Sequence, residues 1–168
     1  MTRILTFGAF DLLHYGHLRL LARVRAMGEH LIVGLATDDI IMAGGKPKPY
    51  YSHAIRREML LHTRHVDAVL TLDGPIDGTG RVKIIRQKID MVRRHQITLV
   101  AMGQDWEGEY EFLTPWCDVV YIERTPGISS TTLRNTLGGG YAPLDTGPGA
   151  DGDRWRDHAA GRETSESG

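Results

Sequence analysis

His14 and His17 stand three residues apart in Gly8-Ala9-Phe10-Asp11-Leu12-Leu13-His14-Tyr15-Gly16-His17, between an apolar run and the start of a helical pattern. That spacing across a first helical turn can aim two imidazoles at one anion. Each ring can donate a hydrogen bond to a phosphate oxygen, more strongly when protonated. The helix start adds free N–H groups and a positive dipole end. Gly8 and Gly16 let backbone approach a ligand closely. Histidines three apart also occur as zinc ligands. That reading needs further ligands, and His30, His53, His62 and His65 are scattered.

Three other segments carry groups suited to the same anion. Gly44-Gly45-Lys46-Pro47-Lys48-Pro49 offers two lysines on a loop that can close over a triphosphate and exclude water. Alone it reads equally well as a solvated basic loop. Arg124-Thr125-Pro126-Gly127-Ile128-Ser129-Ser130-Thr131-Thr132 opens a last helix. There Arg124 can bridge phosphate oxygens, and Ser129, Ser130 and Thr131 can donate hydroxyls to phosphate or simply cap the helix. In Met102-Gly103-Gln104-Asp105-Trp106-Glu107-Gly108, Gly103 permits close approach, and Asp105 and Trp106 could meet a base or sugar. A surface turn is the alternative.

These segments need a frame. Arg3 to Phe7, Leu31 to Ala36, Val66 to Leu72, Thr98 to Met102 and Val119 to Ile122 read as five short strands. Helices are expected from His17 to Met27, with Leu20, Leu21, Val24 and Met27 inward and Gly28 as the stop, and from Ser52, as cap, to about Thr63, with Ile55, Met59 and Leu60 inward. Val82, Ile85, Ile89 and Val92 mark a third, and Ser129 to Leu137 a fourth. Thr37 to Tyr51 and Asp73 to Gly80 read as loops. Alternation of this kind predicts an α/β fold: a mostly parallel five-stranded sheet with helices on both faces. Ligands then sit beyond the carboxyl ends of the strands, so the loops after strands one, two, four and five should line one crevice.

Composition sets limits. The chain has 168 residues, long enough for one domain with a sizeable core. The expected domain spans 1–137, and 138–168, rich in Gly and charge with Trp155 as its main apolar residue, is expected to be disordered. A formal net charge of -1 gives no bulk attraction for nucleic acid. Cys117 is the single cysteine, so no internal disulfide can form, and a half-buried small hydrophobe is the expected role. No apolar run approaches the ~18 residues of a membrane span. Asp11 and His14 interrupt the apolar N-terminus too early for a signal peptide, so the cytoplasm is the expected location.

Read in order from about Arg3 to Leu137, the chain resembles the cytidylyltransferase family, and its glycerol-phosphate branch in particular. The resemblance rests on His14-Tyr15-Gly16-His17, on Arg124 to Ser129, on Arg64-His65-Val66-Asp67-Ala68-Val69 and on Gly103 to Gly108. It implies a Rossmann-like fold, a homodimer, and CMP transfer from CTP to a phosphorylated alcohol, chiefly glycerol 3-phosphate, giving CDP-glycerol and pyrophosphate. Mg²⁺ would ride on the CTP phosphates, with no separate protein metal site. By the same resemblance His14, His17, Lys46 and Arg124 are catalytic, with Lys48 competing for the role of loop lysine. Gly8, Ala9, Phe10, Asp11, Gly16, Asp105, Ser129, Ser130 and Thr131 bind nucleotide, and Arg64 and Lys48 bind the acceptor. Ala9, Gln104 and Pro126 depart from the family's threonine, aspartate and glutamate, which bears on the acceptor. Another alditol phosphate, a small phosphonate, adenylyl transfer, and nucleotide binding without turnover are the alternatives.

Overall fold

Buried apolar runs alternate with amphipathic stretches, and the chain folds as that alternation requires. The computed structural model describes residues 1–74 and 81–137. The strands are β1 (Arg3–Gly8), β2 (His30–Ala36), β3 (Ala68–Leu72), β4 (Leu99–Gly103) and β5 (Asp118–Ile122). The helices are α1 (Tyr15–Arg25), α2 (Asp38–Ala43), α3 (His53–Leu61), α4 (Arg81–Arg94) and α5 (Ser130–Leu137). The sheet order is β3-β2-β1-β4-β5, and every neighbouring pair is parallel. The expected tail from Gly138 and most of the loop from Asp73 to Gly80 lie outside the described residues.

Strand alternation divides the core between two layers. Leu5, Phe7, Ile32, Val100 and Met102 pack with Met91 and Val92 of α4. Ile4, Leu31, Val33 and Ala101 pack with Leu21 and Val24 of α1 and Leu60 of α3. The strands run outward in both directions from the β1–β4 pair, which makes that pair the point where the topology reverses.

The structure corrects the sequence reading at four places. Thr37 to Tyr51 is not all loop, because it contains α2. Thr37 caps that helix through an Oγ1 that accepts from Ile40 N at 3.4 Å. Asp38 and Asp39 suit its dipole, and Ile40 and Ile41 are buried. Met27 is exposed, because α1 ends at Arg25 and Met27 lies past it. Ser52 holds the cap position of α3 but makes no side-chain capping bond. The third strand begins only at Ala68, because Asp67 is bonded on both sides to Leu31: its carboxylate accepts from Leu31 N at 2.7 Å, and its own N donates to Leu31 O at 2.9 Å.

Candidate active site

A cavity of about 530 Å³ opens at the carboxyl ends of β1, β4 and β5. Its walls come from all four expected loops. Gly8 to Asp11, His14, Gly16 and His17 follow β1, and Lys46 and Pro47 lie between α2 and α3. Gly103 to Trp106 follow β4, and Glu123 to Thr125 with Ile128 to Thr131 follow β5.

The two histidines form one unit. His14 is the N-cap of α1, and its Nδ1 accepts from Gly16 N at 3.1 Å. A neutral ring that accepts at Nδ1 carries its proton on Nε2, which fixes the tautomer. The rings of His14 and His17 stack at 3.8 Å between centroids, and Phe10 lies 5.2 Å from His17. Burial, and then the charge of Arg124, lowers the pKa of His14. Burial, and then His14, pushes His17 from 6.5 down to about 3, with Asp11 opposing. Both rings are therefore neutral near pH 7 in the free protein. The stronger donation that a protonated ring would give is therefore absent from the free protein near pH 7.

Glycine serves this unit more than it serves a ligand. A Cβ on Gly16 would meet His14 Cε1 at 2.9 Å, and one on Gly8 would meet the Phe10 ring at 2.7 Å. Phe10 and Leu12, both buried, hold φ of 48° and 50°. Such values are uncommon for bulky residues, and they cluster where structure around a site enforces them.

Protonating these partly buried rings has a consequence for stability. His14, His17 and His53 all lie below the ordinary imidazole value, His53 through burial and then Arg56. The unfolded chain takes up these protons near 6.5, whereas folded His17 does so only near 3. In that window the unfolded state binds more protons, so stability is complete above the upper value and falls as pH drops. Melting temperature should decline between about pH 7 and about pH 5, and less steeply for His17→Asn. Equal slopes for the two proteins would contradict this assignment.

The remaining site residues divide by placement. Lys46 lines the cavity, its Nζ 5.3 Å above the Trp106 ring, whereas Lys48 is exposed and outside the lining. Arg124 and Asp105 face each other across the mouth, NH1 to Oδ2 at 3.4 Å. Both are largely exposed, which makes this a weak pair that an incoming anion can replace. Ser129 Oγ accepts from Thr132 N at 3.0 Å as the cap of α5, Ser130 Oγ donates to Asp11 O at 2.8 Å, and Thr131 lines the cavity. Ala9 also lines it, and its carbonyl accepts from Arg56. Arg64 is not brought to the cavity. It is exposed between α3 and β3, toward the amino ends of the strands, while the cavity lies at the carboxyl ends. Cys117 is half-buried, and burial followed by Asp118 raises its thiol pKa, as suits an unreactive side chain.

Two arginines escaped the sequence reading. Arg134 lines the cavity and pairs with Asp11. Its position four residues after Ser130, on the same helical face, was the available signal. Arg56 is fully buried in α3 and binds Ala36 O at 2.9 Å, Tyr51 O at 3.0 Å, Asp38 Oδ1 at 2.7 Å and Ala9 O. An arginine on a helix normally reads as surface, so nothing in the local pattern marks it.

Hydrogen-bond donors and cations gather at the β1–β4 reversal of a parallel sheet on a Rossmann-like fold, a chemistry suited to an anionic ligand. A family profile described as cytidylyltransferase-like matches residues 5–136, and the chain belongs to that family. It is 44% identical over 139 residues to a glycerol-3-phosphate cytidylyltransferase of Staphylococcus aureus, covering 83% of this chain and 97% of that protein. The Bacillus subtilis glycerol-3-phosphate cytidylyltransferase is 37% identical, covering 83% and 99%. Among solved structures, a lipopolysaccharide core biosynthesis protein from Thermoplasma volcanium shares the fold, with a TM-score of 0.61 at 22% identity over 74% of this chain and 98% of that one.

Proposed function

We propose that this chain transfers CMP from CTP to glycerol 3-phosphate, forming CDP-glycerol and releasing pyrophosphate. The observation that carries the reading is the stacked, neutral histidine pair at the start of α1, facing one cavity with Lys46 and Arg124. Likeness to the two bacterial cytidylyltransferases supports CTP and glycerol 3-phosphate as the substrates.

An acceptor phosphate oxygen forms a bond to the α-phosphorus of CTP. The bond from that phosphorus to the bridging oxygen breaks, and its electron pair leaves with pyrophosphate. The acceptor's second pKa is near ~6, so it is largely dianionic at neutral pH and needs no general base. The obstacle is repulsion between two anions, followed by charge on the departing oxygen. His14 and His17 donate N–H bonds from a partly dehydrated wall, Lys46 and Arg124 supply charge, and the start of α5 adds fixed dipoles.

Among the described residues, no group of three or more His, Cys, Asp and Glu could hold a metal ion. The cavity carboxylates suit a cation that arrives on the triphosphate: Asp11 is occupied by protein partners, and Asp105 stands at the mouth beside Arg124. Mg²⁺ carried by CTP would be held by phosphate oxygens with Asp105 nearby, and would neutralise part of the triphosphate charge. A cytoplasmic homodimer is part of the proposal. No helix among the described residues is long and apolar enough to cross a membrane.

Arg124→Lys should lower kcat/KM by about tenfold or more, because a planar fork becomes a point charge. Unchanged steady-state constants would argue against a bidentate role. The proposal as a whole is tested by pyrophosphate release with CTP or ATP against glycerol 3-phosphate, other alditol phosphates and phosphonates. Release chiefly with CTP and glycerol 3-phosphate is expected. Preference for another pair would reassign the substrates, and tight CTP binding with no release from any pair would leave a nucleotide-binding module.

A further inference from the structure

Three separate walls of the cavity converge on one buried side chain that the proposed reaction does not use directly. Asp11 is only 4% exposed. Its Oδ2 accepts from Tyr50 N at 2.8 Å, and its Oδ1 accepts from Tyr51 N at 3.0 Å. Arg134 of α5 donates to the same Oδ2, and Ser130 Oγ donates to the Asp11 carbonyl at 2.8 Å. The β1 loop, the segment between α2 and α3, and the start of α5 are thus tied at a single residue.

The Tyr50–Tyr51 pair is the downstream end of the segment that carries Lys46. Arg56 Nε holds that end from the other side, donating to Tyr51 O at 3.0 Å. At the upstream end, Lys46 N donates to Ile41 O at 3.3 Å, continuing from α2. The segment is therefore fastened at both ends, with the Lys46 backbone at the upstream one and its side chain reaching over the cavity. Two consecutive amides directed at one carboxylate fix the backbone direction there, whereas a single bond would leave it free to swing. A buried carboxylate that already accepts three donors has little capacity left for a ligand.

We infer that Asp11 is a positioning residue: it anchors Tyr50 and Tyr51 so that the Lys46 ammonium is set over the triphosphate, and it registers this segment against the start of α5. It acts through Lys46 and does not touch CTP. This inference rests on the CTP reading above and deepens it.

The test is a double-mutant cycle on the full chain, paired with amide exchange. Asp11→Asn keeps the shape and one acceptor oxygen. It should speed exchange across residues 44–51 and raise KM for CTP by about tenfold, with a smaller change in kcat. In a Lys46→Ala background the same substitution should raise KM by less than about twofold, because the group it positions is gone. An equal loss in both backgrounds, or unchanged exchange across 44–51, overturns the inference and returns Asp11 to a direct or purely structural role. Should Asp11→Asn not fold, Tyr50→Pro deletes the N–H that Oδ2 accepts, leaves Asp11 in place and carries the same two readouts. Calorimetric CTP affinity and amide exchange need no turnover. Failure of the wild type to release pyrophosphate would therefore strike the proposed reaction alone.

Discussion

Replacing His17 by alanine should lower turnover by about 10²-fold or more, the usual scale for losing one preorganised donor to a transition-state oxygen. The ring is neutral, mostly dehydrated and locked between His14 and Phe10, so its N–H would reach the substrate with little reorganisation. Its Nδ1 is also buried without a hydrogen-bond partner among the described residues, a cost that folding alone does not justify. The variant should fold, because the helix cap is made by His14 and the apolar contacts of α1 by Leu21 and Val24. A folded His17→Ala protein with near wild-type turnover would remove the histidine from the mechanism.

Replacing Arg56 by methionine is expected to destabilise the protein by about 3 kcal/mol or more, the scale for breaking a buried ion pair by deleting one member. Methionine is similar in volume but leaves Asp38 and the carbonyls of Ala9, Ala36 and Tyr51 without their donor. The damage should also reach activity, because Ala9 and Tyr51 flank the elements that carry the histidines and Lys46. Denaturant unfolding measures the first effect. A loss below about 1 kcal/mol would mean that water or another donor takes over those oxygens.

The frame was legible because burial on both faces leaves strands as apolar runs, and Leu31 to Ala36 is the clearest of them. The crevice followed from alternation alone, since parallel strands send all their following loops to one end. Local signals failed where a stronger neighbour drowned them. Thr37-Asp38-Asp39 is a sound helix start, but Gly44 to Pro49 directly downstream dominated the reading, and α2 was missed. Long-range partners carry no local signature at all. Nothing near Arg56 in sequence announces Ala9 or Ala36, and nothing near Asp11 announces Tyr50 or Arg134. Family resemblance supplied Arg64 as an acceptor ligand, yet within one chain the fold sends it toward the other end of the sheet.

A crystal of the protein grown with CTP and magnesium should hold the α-phosphate within hydrogen-bond reach of His14 and His17, between the starts of α1 and α5, with Lys46 drawn from Trp106 toward the triphosphate. A nucleotide bound away from those two helix starts, or one whose phosphates touch neither histidine, would contradict the proposed mechanism.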